Sequence, residues 1–433
     1  MDDLCIESLD DRARGVAHRE GKRIYVEGAL PGEHVQTCAA RSKPAYEIAV
    51  LDRIVRASSQ RVAPRCPHFG ICGGCRMQHL DPGAQVAVKQ RLLEDAFKRA
   101  GGIEPECMLP PVHGPAWGYR YRARLAVRDL RASGGDILIG FRERDSSYIA
   151  DIHQCPVLPA SVSSLFAPLR ALVAALSTPN RLPQIEVAVG AGTLALVLRH
   201  LVPLTDSDVA MLRAFASRHA VSWWLQPGGP HTAAPLDPED FDTLAYALPE
   251  FGLHMRFRPT DFIQINPFIN RILVSRVLNL LQAEPGERVA DLFCGLGNFT
   301  LPLAAQGCNV LGVEASDALV ARARESSVQH GLSARFLVGD LFAAHTESWL
   351  DLGQFDRILI DPPREGAQAV SLALARLPAG RRPRCIAYIS CNPATLARDA
   401  AILYHKGGYR LRSAGVVNMF PHTAHVESIA LFA

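Results

Sequence analysis

From residue 288 onward the chain alternates compact apolar runs with amphipathic stretches. Residues 288–293, 309–314, 334–340, 357–361 and 385–391 read as strands, each followed by a helical segment. Strands that are apolar on both faces predict a parallel, doubly wound sheet covered by helices. The rhythm breaks at the end, where 409–420 and 425–433 read as two adjacent strands, a hairpin. The first 58 residues have another texture. Gly15, Gly21, Gly28 and Gly32 punctuate the short runs 15–18, 23–26 and 34–37, and 46–55 reads as a further strand. Five short strands with such turns predict a small OB-like barrel. Between these ends, an amphipathic helix is expected from Pro82 to Ala100, closed by Gly101-Gly102, and 117–258 mixes strands and helices. The expected architecture is α/β: an OB-like barrel over 1–58, a central α+β region over 59–258, and a Rossmann-like domain over 259–433. Helix 82–100 is free in this scheme to pack on the last of these.

Composition narrows the class. At 433 residues the chain exceeds one ordinary core, so two or three domains are expected. A net charge of +3 is too small to announce a nucleic-acid partner, so any such affinity must reside in local patches. No apolar run reaches the roughly eighteen residues of a membrane span. The eleven cysteines are odd in number and dispersed, which argues against a disulfide framework and for the cytoplasm.

The loop after the first strand of the regular sheet reads Asp291-Leu-Phe-Cys-Gly-Leu-Gly-Asn298. Its glycines let backbone approach a ligand closely, but Thr300 stands where a dinucleotide fingerprint has its third glycine. No Lys-Ser/Thr pair follows, which excludes a P-loop. Glu314 ends the next strand, where it could accept bonds from ribose hydroxyls, and Asp340 ends the third, where it could face an adenine. The series Asp291, Glu314, Asp340, Asp361 at strand ends suits S-adenosylmethionine better than a pyrophosphate, whose charge it would repel. Cys294 is expected to pack beneath the loop.

Cys391, in Tyr-Ile-Ser-Cys-Asn-Pro393, lies at the C-terminal end of a strand, the edge at which ligands bind in such sheets. Glu427, in Phe420-Pro-His-Thr-Ala-His-Val-Glu427, is the candidate base, with His422 and His425 able to orient it or simply to pack. A thiol, a separate carboxylate and a nucleotide-type cofactor loop are the parts needed to methylate carbon 5 of a uracil. Carbon 5 is a poor nucleophile until a thiolate adds at carbon 6, and a base must then remove the carbon 5 proton. In Asp361-Pro-Pro-Arg364, the arginine replaces the aromatic residue expected of adenine amino-methylating enzymes. Phe262-Ile-Gln264-Ile-Asn266 alternates like a strand, with its amides open to a cofactor, a uracil edge or a structural use.

Cys66, Cys72 and Cys75 have metal-ligand spacing, and Cys155 could complete four thiolates. Three ligands from one loop and one from afar suit an iron–sulfur cubane better than zinc, which remains the alternative on spacing alone. Trp117-Gly-Tyr-Arg-Tyr-Arg-Ala-Arg124, continuing to Arg128 and Arg131, offers arginines and aromatic rings for RNA, or a solvated strand face.

Taken together these motifs resemble the bacterial RNA uracil-5-methyltransferases, most closely the RumA/RlmD group acting on 23S ribosomal RNA, over nearly the whole chain. The most specific are Asp361-Pro-Pro-Arg-Glu-Gly366, Tyr388-Ile-Ser-Cys-Asn-Pro393 and Phe420-Pro-His-Thr-Ala-His-Val-Glu427. The resemblance implies a TRAM domain at the N-terminus and a class I methyltransferase domain at the C-terminus. It makes Cys391 the nucleophile and Glu427 the base, and it lines the cofactor and target-base site with Gln264, Phe293, Asn298, Glu314, Asp340 and Asp361. It assigns a [4Fe–4S] cluster to Cys66, Cys72, Cys75 and Cys155, S-adenosyl-L-methionine as methyl donor, 23S ribosomal RNA as partner, and a cytoplasmic monomer without a membrane role. One departure stands out: Asn418 occupies a position where the family usually has Asp. Outside this resemblance, an RNA-binding or assembly factor with an idle catalytic domain and a methyltransferase for tRNA or a small molecule are the competing readings.

Overall fold

A computed structural model describes residues 3–240, 244–343 and 353–433. The N-terminal segment forms one six-stranded sheet built from Asp3–Cys5, Ser8–Leu9, Gly15–Arg19, Lys22–Glu27, His34–Ser42 and Tyr46–Arg56. The sheet curls on itself: Asp3–Cys5 pairs with His34–Gln36, while Ser8–Leu9, three residues on, pairs with Gly15–Val16 at the other edge. Leu4, Ile6, Ile24, Val26 and Val35 fill the space enclosed. Glu33 is fully buried there and held below the ordinary carboxylate range. Burial alone would raise it, but Arg61, at 2.6 Å, and the amides of Leu30 and Ser58 together outweigh that cost.

The central region carries a second six-stranded sheet, including Arg122–Asp129, Gln184–Val189, Leu194–Arg199 and Ser222–Gln226, with helices Phe166–Ala175 and Asp206–His219 on it. Residues 117–121 precede its first strand. Arg122 does not stand on a solvated strand face. Its guanidinium is largely buried and donates to the carbonyls of Pro259 and Asp261.

The third body is the doubly wound sheet. Its order is Ala334–Val338, Asn309–Glu314, Arg288–Leu292, Arg357–Ile360, Cys385–Ser390, Glu427–Phe432, Leu411–Val417, and finally Cys107–Met108. The first five strands are parallel, and Glu427–Phe432 enters antiparallel between Cys385–Ser390 and Leu411–Val417. Helix Pro82–Arg99 starts at Asp81, whose carboxylate accepts from the Gly83 and Ala84 amides, and it packs on this body. Leu93 and Phe97 share a core with Leu292, Ile360, Tyr388 and Leu403. The sheet thus draws a helix and an edge strand from chain that precedes the central sheet. No helix among the described residues is long and apolar enough to cross a membrane.

Candidate active site

The strand after the first turn of the sheet leads into a loop held open by three residues of positive φ: Phe293 (66°), Gly295 (55°) and Gly297 (84°). At Gly297 a side chain would also meet Leu301 at 3.2 Å, so both backbone shape and space exclude one. Thr300, in place of a third glycine, opens helix Thr300–Ala305 and donates its hydroxyl to Asp291 Oδ2 at 2.5 Å. The other oxygen, Asp291 Oδ1, is buried without a partner. Cys294 is packed under the loop: a β-carbon placed at Gly312 would meet its sulfur at 2.8 Å. Glu314 is oriented by the amides of Gly295, at 3.2 Å, and Ser316, at 2.9 Å. Asn298 forms a reciprocal amide pair with Asn270, both bonds 2.9 Å, and accepts from the Tyr246 hydroxyl at 3.0 Å. Neither Asn270 nor Tyr246 carried any signal in the sequence.

The second half of the site is a property of register. Ser390 pairs with Ser428 at the end of an antiparallel ladder, so Cys391 and Glu427 follow on opposite strands at the same level. Asp361 stands at the end of the neighbouring parallel strand, its amide bonded to Leu292 O at 3.1 Å. Asn392 caps helix Pro393–His405, accepting from Ala394 N at 3.0 Å, and donates to Arg364 O at 3.2 Å. The turn carrying Cys391 and the Pro-Pro turn are thereby fixed to each other.

Both halves open into one cavity of about 590 Å³, lined by Gln264, Phe293, Asn298, Glu314, Asp361, Cys391 and Glu427. Asp340 is not on its wall, although Gly339 and Leu341 on either side are; its carboxylate accepts the Phe342 amide at 2.8 Å. Phe262–Asn266 is not a strand but an irregular segment laid over the cavity. Phe262 at its rim is 70% exposed, Gln264 lines it, and Asn266 is a buried helix cap accepting from Ile269 N at 3.2 Å.

The electrostatics of the cavity are dominated by crowded acids. Burial pushes Asp361 up to about 7, and burial with the charges of Asp361 and Glu314 does the same to Asp291. Glu427 rises well above the carboxylate range through burial and then the charge of Asp361, with Arg364 opposing. Cys391 is lifted to about 11 by burial, then by Glu427 and Asp361, with Arg364 again opposing. Its place just before a helix N-terminus favours the thiolate, but burial, reinforced by the carboxylates, prevails. A cationic ligand entering this cavity would relieve the three of these groups that line it, Asp361, Cys391 and Glu427. That charge balance and the phenylalanine walls suit a nucleoside bearing a sulfonium.

The four candidate metal-ligating cysteines are all free and converge. Cys75 is raised to about 11, first by burial and then by the charges of Cys72 and Cys66, and Cys155 to about 12, first by burial and then by the charges of Cys75 and Cys66. Backbone amides point at three of the sulfurs: His68 and Phe69 at Cys66, Gly74 at Cys72, Val157 and Leu158 at Cys155. Among the described residues, no group of three or more His, Cys, Asp or Glu side chains is arranged to hold a metal ion.

An open parallel sheet of this strand order, with a glycine loop and strand-end acids around one cavity, defines a class I S-adenosylmethionine-dependent methyltransferase. Residues 289–363 match a methyltransferase domain family, and residues 341–433 match the tRNA (uracil-5-)-methyltransferase family. Curated relatives named 23S rRNA (uracil(1939)-C(5))-methyltransferase RlmD include that of Bordetella bronchiseptica, 63% identical and covering 100% of this chain and 93% of its own. That of Azoarcus sp. is 58% identical, covering 100% and 99%. The crystal structure of Pyrococcus abyssi tRNA (uracil-54, C5)-methyltransferase with S-adenosyl-L-homocysteine shares the fold over 100% of both chains, with a TM-score of 0.76 at 24% identity. The chain belongs to the RNA (uracil-5-)-methyltransferase family, in the branch that RlmD represents.

Proposed function

We propose that this enzyme methylates carbon 5 of one uridine in 23S ribosomal RNA, at the position corresponding to uracil 1939, through a covalent adduct with Cys391. The observation that carries the reading is the Ser390–Ser428 register, which sets a thiol and a buried carboxyl side by side at the mouth of a methyltransferase cavity. S-adenosylmethionine, when bound, supplies an electrophilic methyl group. Gln264, Phe293, Asn298, Glu314 and Asp361 would hold it and the target base, with Asp340 at the edge of the site. The Cys391 thiolate adds to carbon 6, and the electron pair of the 5,6 double bond makes carbon 5 nucleophilic. After carbon 5 takes the methyl group, Glu427 accepts its proton, the carbon 6–sulfur bond breaks and the thiolate returns. Arg364, which opposes the rise of both Cys391 and Glu427, favours the anionic form of each.

The same reading makes residues 1–58 an RNA-binding TRAM barrel, 59–258 an iron–sulfur and RNA-binding region, and 259–433 the catalytic domain. Cys66, Cys72, Cys75 and Cys155 would carry a [4Fe–4S] cluster. Amide groups aimed at sulfur stabilise thiolates, and a cubane spreads its four thiolates farther apart than the ligands of one ion. The cluster would order the RNA-binding surface, and the enzyme would work as a cytoplasmic monomer. The test is methylation of unmodified 23S rRNA or tRNA with S-adenosylmethionine, read as 5-methyluridine by mass spectrometry beside Cys391→Ala. Product on one 23S uridine, absent in the variant, supports the proposal; product on tRNA alone, or none at all, overturns it.

A further inference from the structure

The catalytic hairpin between Val417 and Glu427, its last paired residues, is closed by a loop that the central region grips from several sides. Arg76 and Met77, directly after Cys75, donate their amides to His422 O at 2.9 and 3.0 Å. Tyr119 donates its hydroxyl to Pro421 O at 2.8 Å, and the Trp117 ring stacks on His422 at 3.9 Å. Gln85 accepts the His422 amide at 2.8 Å. His422 itself sits at a φ of 64°, a conformation that a non-glycine residue keeps only where its surroundings over-determine it.

One member of this grip is chemically out of place. Lys89, one turn beyond Gln85 on helix Pro82–Arg99, is 1% exposed. Its Nζ donates to Asn418 Oδ1 and to Phe420 O, both at 2.8 Å. No carboxylate among the described residues pairs with it, and burial alone pushes it down to about 7. A buried amine bonded only to a neutral amide and a carbonyl is a costly way to fill space. Its two acceptors flank Met419, immediately after the Val417–Glu427 pair.

Resting on the reading of Glu427 as base, we propose that Lys89 is a positioning residue for the reaction, fixing the Asn418–Phe420 segment so that Glu427 faces the adduct at Cys391. Lys89 touches neither RNA nor methyl donor. It acts at the step in which the carbon 5 proton leaves, because that step needs the Glu427 carboxylate directed at the adduct.

The experiment compares wild-type holoenzyme with Lys89→Met and Glu427→Gln, measuring kcat, KM for 23S rRNA and covalent RNA–protein adduct on denaturing gels. Lys89→Met is expected to lower kcat by roughly 10²-fold, as small misplacements of catalytic groups do, with KM unchanged and adduct accumulating. Wild-type kcat, or a fall in kcat without adduct, overturns the proposal. If Lys89→Met does not fold, Asn418→Leu removes one of the two acceptors of Lys89 and is read by the same criteria. Absence of adduct in Glu427→Gln would sink the base assignment itself. Adduct there but not in Lys89→Met would sink only the role of Lys89.

Discussion

Ser428 donates its hydroxyl to the carbonyl of Ser390 at 3.2 Å, across the last pair of the antiparallel ladder that brings Cys391 level with Glu427. The proposed nucleophile and base are therefore held by strand register rather than by a flexible loop. Cys391→Ala is expected to abolish both adduct and 5-methyluridine, a loss of at least about 10⁴-fold, while calorimetric affinity for S-adenosylmethionine stays near wild type. Glu427→Gln should lower turnover by about 10²–10⁴-fold and trap adduct on denaturing gels.

The carboxyl of Asp361, raised to about 7 by burial, sets a pH dependence. Below that value it is neutral, and above it the cavity gains a negative charge. Affinity for S-adenosylmethionine, a cation at sulfur, should rise as pH goes from 6 to 8. Affinity for the uncharged thioether S-adenosylhomocysteine should change less, and titration calorimetry at several pH values separates the two. For the free protein the sign is opposite. Asp291 and Asp361 bind protons in the folded state up to about 7 but only near 3.8 when unfolded, so their contribution to stability is fully present below 3.8 and is lost as pH rises through 7.

Thr300→Val keeps the shape of the loop but removes the hydroxyl from Asp291. The buried carboxyl then keeps only the backbone hydrogen bond of residue 300, which should cost about 1–3 kcal/mol in denaturant unfolding.

Cys155→Ser removes the one candidate ligand supplied from outside the cysteine loop. Protein purified anaerobically should lose its visible absorption and most of its iron, and its melting temperature should fall. Full iron retention in this variant would exclude Cys155 from the ligand set.

The βα rhythm was legible because burial on both faces of a parallel sheet leaves a continuous apolar run, and each strand from Arg288 to Ser390 lies within two residues of its expected bounds. Cys391 and Glu427, singled out by their motifs, are brought to one level beside one cavity. The residues that fix Asn298 were not: Tyr246 and Asn270 meet it across distant chain, and no periodicity reports a polar pair of that kind. Alternation also misled at Phe262–Asn266, where a helix cap and a cavity wall imitate the pattern of a strand. Nothing local to Arg122 reports its partners, the carbonyls of Pro259 and Asp261, which lie far along the chain.

The recruitment of helix Pro82–Arg99 and strand Cys107–Met108 into the C-terminal sheet has a consequence for biogenesis. During translation Leu93 and Phe97 leave the ribosome long before Tyr388 and Leu403, the residues that will cover them, have been made. The early helix must wait with its apolar face uncovered while the whole central region is synthesised, and long-range closure of this kind is slow. A fragment beginning at residue 259 would have the converse defect, a finished sheet lacking one of its covers. The catalytic unit is complete only when the first quarter of the polypeptide and the last have met.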